Sequence, residues 1–324
     1  MSESLQAALA RIAQTASLAT ERAKTARVLL YGPSGTGKTT LAAMIARTLV
    51  DRTAGNTILY IDTSEGWVSW ENMPGLSEGI VIVPFTSIDD VKAIAQGIRQ
   101  KIAPWDKVKA VILDEASKMT EMDVLSVLRN RHEGMYGSAL KESAEFLTSG
   151  PDYQISLQRY RELSMDLYSN RDIHVILCAH QSEKKDRRGA IISIGPEFSP
   201  KIAKTVKEPI HLSAHITGTI QNDLENPGQT KYIRNAQVHP SIMVDAKCRL
   251  NISQVSVPAD TLPVLIRDWL KSGGELSEAR DTQPPDTVGI NETITSGIDG
   301  NLIDETVSAD DGETIIDLSD ITVS

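Results

Sequence analysis

Apolar and polar positions along this chain follow two periods that alternate. RVLLY (27–31), NTILYID (56–62), GIVIVP (79–84), VKAVILD (108–114) and IHVILCA (173–179) are short, almost continuous apolar runs. Such runs suit strands of a parallel sheet buried on both faces. Between them the apolar positions spread to helical spacing. Leu41, Met44, Ile45 and Leu49 follow the first run, and IDDVKAIAQGIRQKI after the third predicts a crossover helix. Residues 120–170 are helical and polar, interrupted by GMYG and SGPD. Past 180 the rhythm changes. Residues 181–200 are charged and contain Gly and Pro, whereas PIHLSAHITGTI and TKYIRNAQV read as strands with no helix between them. TLPVLIRDWLK predicts a last helix, ended by Gly273-Gly274. The fold class is α/β, a mainly parallel sheet extended by antiparallel strands.

Residues 3–22 also carry a helix pattern. The chain thus divides into an N-terminal helix over 1–24, one α/β domain over 25–274 and a tail over 275–324. A 40% hydrophobic content sustains a sizeable core, and 4% aromatics make that core mainly aliphatic. The net charge of −10 is unevenly spread. From Glu275 onward there are thirteen acidic residues and one basic residue, Arg280, giving −12; the other 30 acidic and 32 basic residues leave the body at +2. The tail's Thr, Ser, Asp, Gly and Pro composition predicts disorder. No run approaches the ~18 apolar residues of a membrane span, and MSESLQAALARIAQ has no signal-peptide core. Cys178 and Cys248 lack metal-ligand spacing, so the expected compartment is a reducing cytoplasm.

The chemistry concentrates where strands end. GPSGTGKT (32–39) sits between a strand pattern and a helix pattern. Gly32, Gly35 and Gly37 free the backbone so that amides, with Pro33, Ser34, Thr36 and Thr40 in the same turn, wrap phosphate oxygens. Lys38 neutralises the β- and γ-phosphates, Thr39 places a hydroxyl on Mg2+, and the helix dipole adds positive potential. ATP and Mg2+ are the expected cofactors. VILDE (111–115) puts Asp114 where it holds the Mg2+ hydration shell and Glu115 where it polarises the attacking water. Glu65, after the second strand, is an equal candidate for that base. His180 and Gln181 end the fifth strand, and the neutral amide of Gln181 suits a γ-phosphate sensor. Trp67 and Trp70 read as packing residues.

In this order GPSGTGKT, YIDTSEG, VILDE, PDYQISLQRYRELSMDL before IHVILCAHQ, and VDAKCRL (244–250) resemble the RecA/RadA core, and more closely the phage-encoded RecA-like ATPases of the Sak group, over residues 25–272. That resemblance implies a RecA-like P-loop core, homo-oligomers as filament or ring with ATP between subunits, single-stranded DNA binding, and strand annealing or recombination. It implies that Lys247 and Arg249 are fingers reaching a neighbour's ATP site. It also implies that 180–201, with Lys184, Lys185, Arg187, Arg188 and nearby Lys201, is a DNA-binding loop. A single-strand DNA-binding or replication protein is a further partner on that reading, and the acidic tail either binds a partner or covers the basic loop. Glu115 departs from that family toward the AAA+ pattern. An AAA+ motor or helicase loader is therefore one alternative, and a nucleotide-dependent scaffold with little turnover is another.

Overall fold

The computed structural model describes residues 25–71, 73, 75–136, 150–222 and 230–273. The helix expected over 1–24 and the tail over 275–324 lie outside the described residues. Five strands run parallel: β1 (Arg27–Gly32), β2 (Thr57–Asp62), β3 (Ile80–Pro84), β4 (Val108–Asp114) and the first half of β5 (His174–Lys185). β6 (Ile191–Pro196) folds back on β5. β7 (Leu212–Asn222) lies parallel to β1, and β8 (Thr230–Gln237), β9 (Lys247–Cys248) and β10 (Ser256–Pro258) extend the sheet antiparallel. The order is β10-β8-β7-β1-β5-β4-β2-β3, with β6 on β5 and β9 on β7.

Strand alternation separates two cores. Val28 and Leu30 face one side, packed under α1 (Lys38–Leu49), α2 (Val68–Glu71) and α7 (Leu262–Lys271) through Leu41, Ile45, Trp70 and Ile266. Leu29 and Tyr31 face the other. That side is covered by α3 (Ile88–Arg99), α4 (Ala116–Tyr136), α5 (Gly150–Ser169) and α6 (Pro200–Lys207) through Val91, Met119, Leu163 and Val206. Helix α3 starts where its sequence says it should: Ser87 accepts the Asp90 amide (3.1 Å), and Asp89 and Asp90 meet the positive end of the dipole. Trp70 is fully buried, edge-on to Tyr60 at 5.7 Å, a packing residue as its surroundings require.

Strand β1, central in the sheet, begins in an unusual way. Its entering amides are capped by imidazoles from the first residue of β5 and the residue before β7: Ala26 N–H donates to His174 Nδ1 (3.0 Å) and Arg27 N–H to His211 Nδ1 (3.3 Å). Burial lowers both imidazole pKa values to about 4, so each stays a neutral acceptor.

Two expectations change. The pattern of GIVIVP predicts burial on both faces, but among the described residues β3 pairs only with β2, is the sheet's last strand and leaves Val81 and Ile82 exposed. An apolar run reports strand propensity without reporting position in the sheet. The segment 180–201 is no open loop. β5 runs on to Lys185, pairs with β6, and turns through Asp186, whose carboxylate accepts the amides of Arg188 (2.8 Å) and Ala190 (2.9 Å). Among the described residues no helix is long and apolar enough to cross a membrane.

Candidate active site

The phosphate loop joins β1 to α1. Gly37 adopts φ 81°, left-handed backbone that a side chain resists, and its carbonyl accepts the Leu41 amide at 2.9 Å, starting the helix. Gly32 is needed for a different reason. A Cβ there would come within 2.1 Å of the Ile216 carbonyl oxygen on β7, so the loop rests backbone on backbone against its neighbour. The Thr36 hydroxyl donates to Pro33 O (3.0 Å), and the buried Lys38 ammonium donates to Gly32 O (3.0 Å) and Pro33 O (2.9 Å). The loop is therefore closed around the one cation that its sequence supplies.

Alternation decides which strand-end residues join it. Tyr60 and Ile112 belong to the core under α1, so Asp62 and Asp114, two residues on, face the same side. Their Cα atoms are in register across β2 and β4. Asp114 Oδ2 accepts the hydroxyls of Thr39 (2.6 Å) and Tyr60 (2.6 Å). Its Oδ1 is buried with no hydrogen-bond partner among the described residues. Burial raises the Asp114 pKa against the pull of those hydroxyls and of Lys38, and the neighbouring Cys178 thiol is itself raised, first by burial and then by this carboxylate. An orphaned carboxylate oxygen beside a threonine hydroxyl is the hard-oxygen donor set that suits Mg2+.

Glu115 lies 3.9 Å from Lys38 Nζ and pairs with His180 Nε2. Burial raises its carboxyl pKa, while His180 and then Lys38 hold it down. Glu65 is exposed, at φ 57°, on the loop whose next residue, Gly66, is anchored by its amide to Asp62 (3.3 Å). A Cβ on Gly66 would sit 3.1 Å from Asp114 Oδ2 and 3.3 Å from Thr39 Oγ1, so that loop roofs the same site. Both acids therefore adjoin the loop, and Glu115 alone of the two contacts Lys38.

Halfway along β5, which does not end at His180 and Gln181 as the pattern predicts, the two neighbours part. His180 turns to Glu115, whereas Gln181 Oε1 meets His215 Nε2 (2.9 Å) on the opposite face, where His215 stacks on Tyr31. Side-chain chemistry alone favours the amide as the sensor, and period two is the signal that separates the pair. Two further residues reach the loop with no advance sign. Tyr232 Oη is 3.4 Å from Gly35 O, and the Arg234 guanidinium lies against Gly37 while paired with Asp260.

The remaining candidates lie away from the loop. Lys184, Lys185, Arg187 and Arg188 are exposed on the β5–β6 hairpin, and Lys201 is exposed on α6. Lys247 and Arg249 lie beside the start of β7, at the end of the sheet opposite the phosphate loop. Lys247 Nζ donates to the carbonyls of Lys207 (2.7 Å) and Glu208 (2.9 Å), and Arg249 to Glu208 O (3.3 Å), closing the C-terminal end of α6. Burial and the nearby cations Arg249 and Lys207 lower the Lys247 pKa to about 8.

Known proteins are similar to part of this chain. Replication factor C subunit 4 of Arabidopsis thaliana is 32% identical over 160 residues, covering 46% of this chain and 42% of the relative. Replication factor C subunit 2 of Oryza sativa subsp. japonica is 32% identical over 159 residues, again covering 46% and 42%. The chain thus spans less than half the length of these curated relatives. A family model described as AAA domain matches residues 24–250, from the approach to β1 through the whole site to Leu250. With a glycine loop, a buried carboxylate beside it and their sheet in place over that span, this chain belongs to the AAA domain family of P-loop ATPases.

Proposed function

We propose that this chain is an Mg2+-dependent ATP hydrolase that self-associates, binds single-stranded DNA and promotes strand annealing or recombination, in the manner of RecA-like ATPases of the Sak group, in a bacterial cytoplasm. The observation that carries the ATPase reading is the Thr39–Asp114 contact with Asp114 Oδ1 left over beside it. Thr39 and Asp114 are the residues that would hold the metal, whose positive charge, when bound, offsets the charge of transferring phosphate. Lys38 binds the phosphates. Glu115 takes a proton from water, helped by a carboxyl whose pKa burial raises.

The DNA reading is supported by placement. The strand that carries His180 to Glu115 continues without a break into the exposed basic hairpin. Nucleic acid on Lys184, Lys185, Arg187 and Arg188 is thereby linked to the catalytic carboxylate through one element. Two relatives named as subunits of a replication factor fit a DNA-handling oligomer. The RecA-like reading is favoured over an AAA+ motor with a helical lid because the chain after α6 returns to the same sheet as β7 and β8.

ATP turnover with and without single-stranded DNA tests this. Wild type should be stimulated. Lys38→Ala should lose nucleotide, and Asp114→Asn should bind nucleotide but lose Mg2+-dependent turnover. Neutralising the four hairpin cations should leave basal turnover and remove the stimulation, with the DNA salt slope falling by about 0.7 for each phosphate that is no longer neutralised. Equal stimulation in wild type and the hairpin variant sinks the DNA assignment; wild-type turnover in both loop variants sinks the site.

A further inference from the structure

The β7–β8 hairpin holds a set of side chains to which the phosphate chemistry gives no role. Pairing sets Gly218 opposite Arg234 and Ile220 opposite Tyr232, and alternation puts all four on the sheet face that carries α1. Deep in the sheet that face is buried Ile216 and Ala236. At its open end it becomes Tyr232, 48% exposed, and Ile220, 72% exposed. The ring of Tyr232 lies across Gly218, where a Cβ would come within 1.7 Å of its hydroxyl, and that hydroxyl is 3.4 Å from Gly35 O. The Arg234 guanidinium lies so close to the loop that a Cβ on Gly37 would come within 2.7 Å of Nη1.

Sheet order assigns this hairpin to one end of the nucleotide. Asp114, Glu115 and His180 come from β4 and β5, on one side of β1, so the terminal phosphate points that way. β7 and β8 lie on the other side of β1. We propose that the β7–β8 hairpin forms the nucleoside end of the ATP site. Tyr232 and Ile220 make an apolar platform for the base, and Arg234 is a cis-acting cation that exchanges Asp260 for the phosphate chain. A base offers a π-face to an aromatic ring, and a guanidinium fork matches phosphate oxygens. Asp260 is more than half exposed, so its carboxylate is solvated once released. The inference rests on the reading of Gly32–Thr39 as an ATP loop.

Calorimetric titration of the full chain with Mg-ATP and with Mg-tripolyphosphate, which has the phosphates and no nucleoside, tests it. Tyr232→Ala should weaken ATP by ~5- to 100-fold and leave tripolyphosphate unchanged. Tyr232→Phe, which keeps the ring, should hold ATP affinity near wild type. Arg234→Ala should weaken both ligands by ~10- to 100-fold, with Arg234→Lys between it and wild type. Lys38→Ala is the control. If it binds ATP as wild type does, the ATP-loop reading itself fails. If it loses ATP while Tyr232→Ala and Arg234→Ala keep wild-type affinity, the hairpin inference alone is overturned. Equal weakening of both ligands by Tyr232→Ala overturns the base platform, because the ring then only supports the loop.

Discussion

In the proposed reaction Glu115 is the general base. Its carboxylate is part-buried between Lys38 of the glycine loop and His180, on the strand that leads to the hairpin, whereas Glu65 stands in solvent on the roof of the site. Glu115→Gln should bind ATP and assemble yet lose turnover by ~10²- to 10⁴-fold, the usual worth of a general base, and Glu65→Gln should stay within a few-fold of wild type. The base works deprotonated, and burial raises its pKa. Turnover should therefore fall on acidification at a pH above the ordinary carboxylate range, and that acid limb should disappear in Glu115→Gln. A stalled Glu65→Gln beside a normal Glu115→Gln would exchange the two roles.

At the scale of elements, the two imidazoles that cap β1 make the sheet sensitive to acid. His174 and His211 titrate at about 4 when folded, below the ordinary 6.5. Between these values the unfolded chain binds more protons than the folded one. Their contribution is present above pH 6.5 and is lost as pH falls toward 4. The melting temperature should drop across that window, and drop less steeply in a His174→Asn/His211→Asn double variant, whose amide oxygens keep an acceptor without a charge to gain. An identical slope in both proteins would refute the assignment. Neither cap was legible in the sequence, because each joins residues more than 140 positions apart. The local signals were. Five apolar runs gave five parallel strands, and GPSGTGKT with VILDE marked the loop and its carboxylates. The sequence pattern failed where a residue's meaning depends on its neighbours in space. β3 reads like β2 but lies at an edge, Gln181 reads as a sensor but faces away, and Arg234 reads as one more strand cation but touches the loop.

Across the whole molecule, Lys247 and Arg249 lie at the end of the sheet opposite their own phosphate loop, so any action on ATP has to cross to another subunit. Arg249→Ala should bind ATP yet lose DNA-stimulated turnover by up to ~10³-fold. Mixing it with Lys38→Ala subunits should restore part of the rate, because some interfaces then pair a good loop with a good finger. No recovery at any ratio, with co-assembly confirmed, would leave the pair as a brace for the end of α6. The position of β1 has one more consequence, for synthesis. Its partners are β5 and β7, and the pairs Arg27↔Val175 and Val28↔Leu212 join residues 148 and 184 positions apart. At roughly 5–20 residues per second, the strand that ends in the phosphate loop is made roughly 9–37 s before its last neighbour. The sheet that supports the loop is therefore completed late in synthesis, and RVLLY waits for both of its strand partners.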